Sequence, residues 1–194
     1  MTARSEQIVD AAIQLLSQGG IEALTIKKLA KAVGVSEPAL YRHFESKVDI
    51  LVAILKRLEA NMQRLFEQSL VREDSVLDQI QMVYKRVFRN FASKPAMASV
   101  VFSEEMFRHD PRLAEHVSCI MDTVQGHILV LLRSQKGRVE CRRDVPVKDL
   151  VQVIMGSLRF LVTRWRLSGY AFDLEKEGMV FWKSLRLMIS APSQ

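Results

Sequence analysis

Apolar side chains recur three and four residues apart along almost the whole of this 194-residue chain, and no stretch alternates long enough to specify a strand. That spacing puts one apolar stripe on each of a series of helices, so the fold is expected to be all-α. Composition agrees: hydrophobic residues make up 48% and charged residues 26%, with only five prolines and eight glycines, as in a globular protein. A chain of this length can bury a sizeable core, as one large domain or two smaller ones sharing it.

The helix boundaries follow from caps and breakers. Ile8, Ala11, Ala12, Leu15 and Leu16 stripe a first helix that Gly19-Gly20 is expected to stop. Thr25 is a good N-cap for a second, striped by Ile26, Leu29, Ala30 and Val33 and ended by Gly34. Ser36 caps a short third helix with Leu40 and Phe44 inward, and Ser46 with Asp49 forms a capping-box pattern that opens a long fourth helix over 47–70. This helix carries Leu51, Ile54, Leu55, Leu58, Met62, Leu65 and Phe66 on one face, enough to join two halves of the molecule. The division expected is 1–50 and 51–194. The remaining stripes fall from Leu77 to a break at Ser93-Lys94-Pro95, from Ala96 to Phe107, and from Asp110-Pro111 to near Lys136-Gly137. Arg138 to Asp144 reads as a basic surface loop, and helices over Val147 to Leu167 and Asp173 to Ile189 close the chain, about nine in all.

Three helices in the first 45 residues, the second and third joined by the turn Val33-Gly34-Val35, have the layout of a helix-turn-helix. With Leu40 and Phe44 inward, Glu37, Pro38, Ala39, Tyr41, Arg42 and His43 share the outer surface of the third helix. Net charge alone is a poor guide, because residues 1–50 carry six basic and six acidic side chains and the surplus of +6 lies elsewhere. Within residues 25–47, however, five basic residues (Lys27, Lys28, Lys31, Arg42, Lys47) face only Glu37 and Glu45, a locally positive field suited to a polyanion. Lys47 stands where the helix dipole disfavours a cation, which either a phosphate partner or plain solvation would explain. Thr25, with a hydroxyl and free N–H groups, offers a second anion site.

The run Thr25-Ile26-Lys27-Lys28-Leu29-Ala30, then Val33-Gly34-Val35-Ser36, then Ala39-Leu40-Tyr41-Arg42-His43-Phe44 and Ser46-Lys47 resembles the DNA-binding signature of the TetR/AcrR family of transcriptional regulators. The resemblance covers residues 4 to about 55. It implies phosphate contacts by Thr25, Tyr41, His43 and Lys47, and places Ser36, Glu37, Pro38, Ala39 and Arg42 at or near base edges. The spelling from Ser36 to Phe44 also resembles the nucleoid-occlusion branch, so a nucleoid-associated role is the alternative to a repressor. In the C-terminal half the resemblance is one of layout only.

By that layout the second half binds a small effector, apolar or amphipathic, and forms a homodimer. Candidate pocket residues are Phe88, Phe91, Met97, Phe102, Met106, Phe107, Met121 and Trp165, with His127 and Gln125 as polar handles; taken singly, each apolar one reads first as ordinary core, and His127 as hydrogen-bonded core or surface. The dimer is expected to use Leu150, Ile154, Leu158, Leu161, Trp182, Leu185 and Ile189, with Gly156 and Gly178 marking close helix approach. Lys136, Arg138, Arg142 and Arg143 suit either a solvated loop or an anionic effector. Glu105, His109 and His116 are too scattered to hold a metal, so no metal and no cofactor is expected.

No nucleophile elbow, phosphate loop or paired-histidine motif is present, which argues against an enzyme. Cys119 and Cys141 form no metal or disulfide pattern. The start Met1-Thr2-Ala3-Arg4-Ser5-Glu6 lacks the apolar segment of an export signal, and the longest aliphatic run, Ile128 to Leu132, is far short of a membrane span. The expected partners are therefore double-stranded operator DNA, the effector and a second copy, with no membrane, in the cytoplasm.

Overall fold

The computed structural model describes residues 2–69, 75–102 and 110–192. Ten helices lie among them: α1 (Ala3–Ala23), α2 (Ile26–Val33), α3 (Glu37–Tyr41), α4 (Lys47–Ser69), α5 (Val76–Ser93), α6 (Pro95–Val101), α7 (Pro111–Arg133), α8 (Gln135–Glu140), α9 (Val147–Leu167) and α10 (Leu174–Ile189). Among the described residues no helix is long and apolar enough to cross a membrane.

The caps act as their residue types dictate. The hydroxyls of Thr25 and Ser36 accept from the N–H groups of Lys28 at 3.2 Å and Ala39 at 3.3 Å, and the Asp173 carboxylate accepts from Lys176 at 3.0 Å. Gly34 closes α2 in the left-handed region (φ 73°), and the Val35 N–H returns to the Ala30 carbonyl at 3.0 Å. Several boundaries differ from expectation. Gly19-Gly20 bends α1 without ending it, and the helix resumes to Ala23. The segment expected to be a loop after Lys136-Gly137 instead holds α8, capped by Ser134, whose hydroxyl accepts from the Gly137 N–H at 3.0 Å.

The chain forms two compact units, residues 1–61 with 94–120 and residues 62–93 with 121–194. In the first, α1 buries Ile8, Val9, Ala12 and Leu16 and packs on α6 and α2, and α2, which buries Leu29 and Ala30, packs on α3 as well. In the second, α5 lies against α10, α9 and α8. Its centre is Tyr84, whose hydroxyl donates to the Ile154 carbonyl at 2.5 Å and bonds the Ser157 hydroxyl at 2.7 Å. The same ring meets Phe88 edge-on at 5.5 Å and Trp182 at 5.0 Å, and burial pushes the phenol pKa well above its usual value. Each large apolar side chain taken fully out of water here contributes about 1.5–3 kcal/mol.

Gly178 explains how α10 comes so close to α5. A Cβ built there would stand 2.2 Å from two carbons of the fully buried Phe88 ring. Gly178→Ala should therefore destabilise the protein by about 1–3 kcal/mol through overpacking, despite the gain of about 1 kcal/mol in helix propensity. Chemical denaturation measures this directly; a neutral or stabilising result would mean that α5 and α10 are not in tight contact.

Candidate nucleic-acid interface and effector residues

Only Leu40 of α3 is fully buried, so this one side chain anchors the short helix and sets which residues point outward. Ser36, Glu37, Pro38, Tyr41, Arg42 and His43 are exposed, and Ala39 is half-buried. α3 ends at Tyr41, earlier than expected; Arg42 and His43 continue in a turn whose His43 and Phe44 N–H groups both return to the Leu40 carbonyl, at 2.9 and 3.1 Å. Phe44 is consequently half-buried and not a full core residue. On α2 and its cap, Thr25, Lys27 and Lys28 are exposed together.

Lys47 is half-buried, and its ammonium donates to the Ile21 carbonyl at 3.1 Å. This partner is invisible in the sequence. A cation is disfavoured at the start of α4 but favoured beside the last carbonyls of α1, so the second placement accounts for the first. The ammonium has three protons, and this bond uses one. Next to it the Ser46 hydroxyl accepts from the Asp49 N–H at 3.2 Å and donates to its carboxylate at 2.8 Å. Arg112, in the first turn of α7, pairs with Asp49 at 2.7 Å and with Asp110 at 2.8 Å. The Ser46 hydroxyl first, and Arg112 after it, hold the Asp49 carboxyl below the usual carboxylate range. The first turn of α4 is thus fixed from α1 and from α7.

The expected effector residues are divided between the two units and the residues outside the described ones. Phe88, Phe91, Met121, His127 and Trp165 belong to the second unit, Met97 and Phe102 to the first, and Met106, Phe107, Glu105 and His109 lie outside the described residues. Phe88, Phe91, Met97, His127 and Trp165 are buried; Phe102 and Met121 are half-buried. His127 stacks on Phe66 with centroids 4.2 Å apart, and burial lowers its pKa, favouring the neutral imidazole. Gln125 is exposed and so is no handle inside the core. Trp165 has a structural task, its indole N–H donating to the Phe172 carbonyl at 2.9 Å while its ring meets Tyr170 at 4.7 Å. His116 faces Glu59 at 3.6 Å, and no group of three metal-ligating side chains occurs among the described residues.

The residues expected at a dimer interface lie mostly inside the protomer. Leu150, Ile154, Leu158, Leu161, Trp182, Leu185 and Ile189 are all buried, as is Gly178 against Phe88; Gly156 alone is exposed. Apolar stripes missed by that reading occupy the opposite faces: Val153, Phe160 and Leu167 on α9, and Val180, Leu187 and Met188 on α10.

The family model for the bacterial regulatory proteins of the tetR family matches residues 8–54, and that for the C-terminal region of YsiA-like proteins matches residues 55–190. This chain belongs to the tetR family. Membership makes it a DNA-binding transcriptional regulator, and the exposed surface of the helix-turn-helix is where the family signature lies. Among curated relatives, the nucleoid occlusion factor SlmA of Vibrio atlanticus (strain LGP32) is 26% identical over 187 residues, covering 96% of this chain and 95% of that one. Among solved structures, the regulator FadR from Bacillus subtilis in complex with stearoyl-CoA shares the fold at a TM-score of 0.73 and 21% identity, covering 93% of this chain and 96% of that one. A TetR regulator from Haloarcula marismortui ATCC 43049 does so at a TM-score of 0.82 and 14% identity, covering 98% and 100%.

Lys47→Met removes the bond to Ile21 and should lower stability by about 1 kcal/mol. Tyr41→Ala and His43→Ala, at exposed positions, should stay within about 0.5 kcal/mol of wild type. Thermal melts of the three variants without DNA make the comparison, and an unchanged Lys47→Met melt would show that the Ile21 contact contributes nothing.

Proposed function

We propose that this chain is a ligand-responsive repressor that binds a palindromic operator as a homodimer in the cytoplasm. The observation that carries the reading is the outward set Glu37, Tyr41, Arg42 and His43, held by one buried anchor, Leu40, on the element where the family signature lies. Residues 1–50 act as the DNA-binding domain, and 51–194 as the effector and dimerisation domain. Thr25, Lys27, Lys28, Tyr41, His43 and the remaining protons of Lys47 engage phosphates, while Ser36, Glu37, Pro38, Ala39 and Arg42 address base edges. An apolar or amphipathic effector shifts the fourth helix, whose first turn carries Lys47. The solved FadR complex with stearoyl-CoA supports an effector of this kind.

A second reading, a nucleoid-occlusion role, is favoured by SlmA relatives that align along nearly the whole chain. Genome-wide occupancy separates the two: a few promoters with changed expression support the repressor, and dozens of scattered sites without it support the alternative.

Tyr41→Ala should weaken binding to every sequence, whereas Arg42→Ala and Glu37→Ala should change the preferred base, a good bidentate contact contributing about 1–3 kcal/mol of discrimination. Footprinting on the DNA flanking the chain's own gene supplies the operator. If all three variants bind it as wild type does, α3 is not the reading element.

For the dimer, one helix-turn-helix offers too few contacts for tight binding, and a two-fold pair reads half-sites about 34–36 Å apart or a multiple of that. Phe160→Glu and Leu187→Glu, on the exposed stripes, should give folded monomers with much weaker operator binding. Leu158→Glu and Leu185→Glu, in the protomer core, should instead unfold it, since an unpaired buried charge costs several kcal/mol. Sedimentation of wild type as a monomer at micromolar concentration would sink the dimer.

A further inference from the structure

Around α8 the chain forms a solvent-open cleft of about 520 Å³, a size typical of small-molecule sites, and every residue lining it belongs to the second unit. Its walls are of two chemical kinds. Val139, Val145, Val147 and Leu150 supply aliphatic surface, and Arg138, Arg142 and Arg143 supply guanidinium groups.

The charges there are unequally matched. Arg142 is neutralised by Asp144, which it binds through two nitrogens. Glu140, the other acid of this segment, is turned to α5, where it accepts from the Ser75 hydroxyl at 2.6 Å and the Leu77 N–H at 3.3 Å. Arg143 donates its Nε to the Arg138 carbonyl and pairs with no acid among the described residues; nor does Arg138. Two guanidinium groups with no acid partner among the described residues therefore border the cleft beside Val139, which is 65% exposed. Water satisfies a lone arginine but gains nothing from a neighbouring aliphatic wall; a ligand with both an anionic and an apolar part uses both.

The segment is also held in shape. The Arg142 N–H donates to the Ile189 carbonyl and the Ala191 N–H to the Glu140 carbonyl, both at 2.9 Å, so the end of α10 fastens it on one side and Glu140 on the other. A site already formed loses less entropy on binding than a mobile loop.

We infer that this cleft binds an amphipathic anion, its carboxylate or phosphate gripped by Arg138 and Arg143 and its apolar part lying along Val139, Val147 and Leu150. The site is independent of whether the chain regulates transcription. Calorimetry on the full chain, with decanoate and decyl phosphate below their micelle-forming concentrations and with decanol and acetate as controls, tests it. At least one of the two anions should bind, and the relative affinities of the carboxylate and the phosphate identify the head group preferred. Decanol and acetate should each bind at least about tenfold more weakly than the preferred anion. Replacing both arginines (Arg138→Gln with Arg143→Gln) should cost on the order of tenfold or more in that affinity. Val139→Glu, at an exposed position that folding tolerates, should weaken it as well, with the melting temperature and operator affinity unchanged in both variants. Decanol binding as tightly as the preferred anion, wild-type affinity for that anion in the double variant, absence of binding by either anion, or loss of DNA affinity alone in the variants would each overturn the assignment.

Discussion

The ammonium of Lys47, held against the last carbonyls of α1, is the contact on which the placement of the candidate reading surface depends. α3 is too short to hold its own position, with one buried side chain and five residues. Its position is fixed by the segments on either side, and on the C-terminal side that segment is the first turn of α4. This turn is tied to α1 through Lys47 and Ile21, and to α7 through Asp49 and Arg112. Two of these groups are charged and only partly exposed, so their bonds are stronger than neutral ones at the open surface. The surface of the helix-turn-helix is therefore set by side-chain bonds beyond α2 and α3, one from α1 and one from α7, and a change in α7 has a direct path to α4.

Much of this is legible in the sequence because caps and breakers are local chemistry. Thr25, Ser36, Ser46 and Asp173 each use the oxygen their residue type offers, and Gly34 takes the left-handed conformation the turn needs. The outward side of α3 comes from burying Leu40. Two kinds of feature escape a sequence reading: long-range partners, such as Ile21 for Lys47, and structure without an apolar stripe, such as α8. That helix carries mostly polar residues and exists because Ser134 caps it and Glu140 is bound by Ser75 and the Leu77 N–H, groups over sixty residues away in the chain.

The effector residues illustrate a different limit. Aromatic and methionine side chains at helical spacing mark a core whether or not it holds a ligand, and spacing cannot tell the two apart. Bonding separates them for one residue: Trp165 has its N–H and its ring engaged in closing the turn between α9 and α10. For His127, stacked on Phe66 in a setting where burial lowers its pKa, bonding does not separate the two.

The last two helices show why a buried stripe can pass for an outer one. α9 carries apolar residues on two faces: Leu150, Ile154, Leu158 and Leu161 at intervals of three and four, and Val153, Phe160 and Leu167 at intervals of seven. Both periods are helical, so the sequence holds two stripes and no indication of which meets its own domain. The glycines separate them. In a helix each costs about 1 kcal/mol against alanine, and Gly178 recovers this by admitting the Phe88 ring. Among the described residues nothing lies within 4 Å of where the Gly156 Cβ would be, so no described contact in the protomer offsets its cost. It lies between Val153 and Phe160 on the exposed side, and Leu167 and Leu187 are 78% and 80% exposed on the same pair of helices. A second copy laid on this face would bury those side chains at about 1.5–3 kcal/mol each, doubled by two-fold symmetry, and would give Gly156 the close neighbour that Gly178 already has.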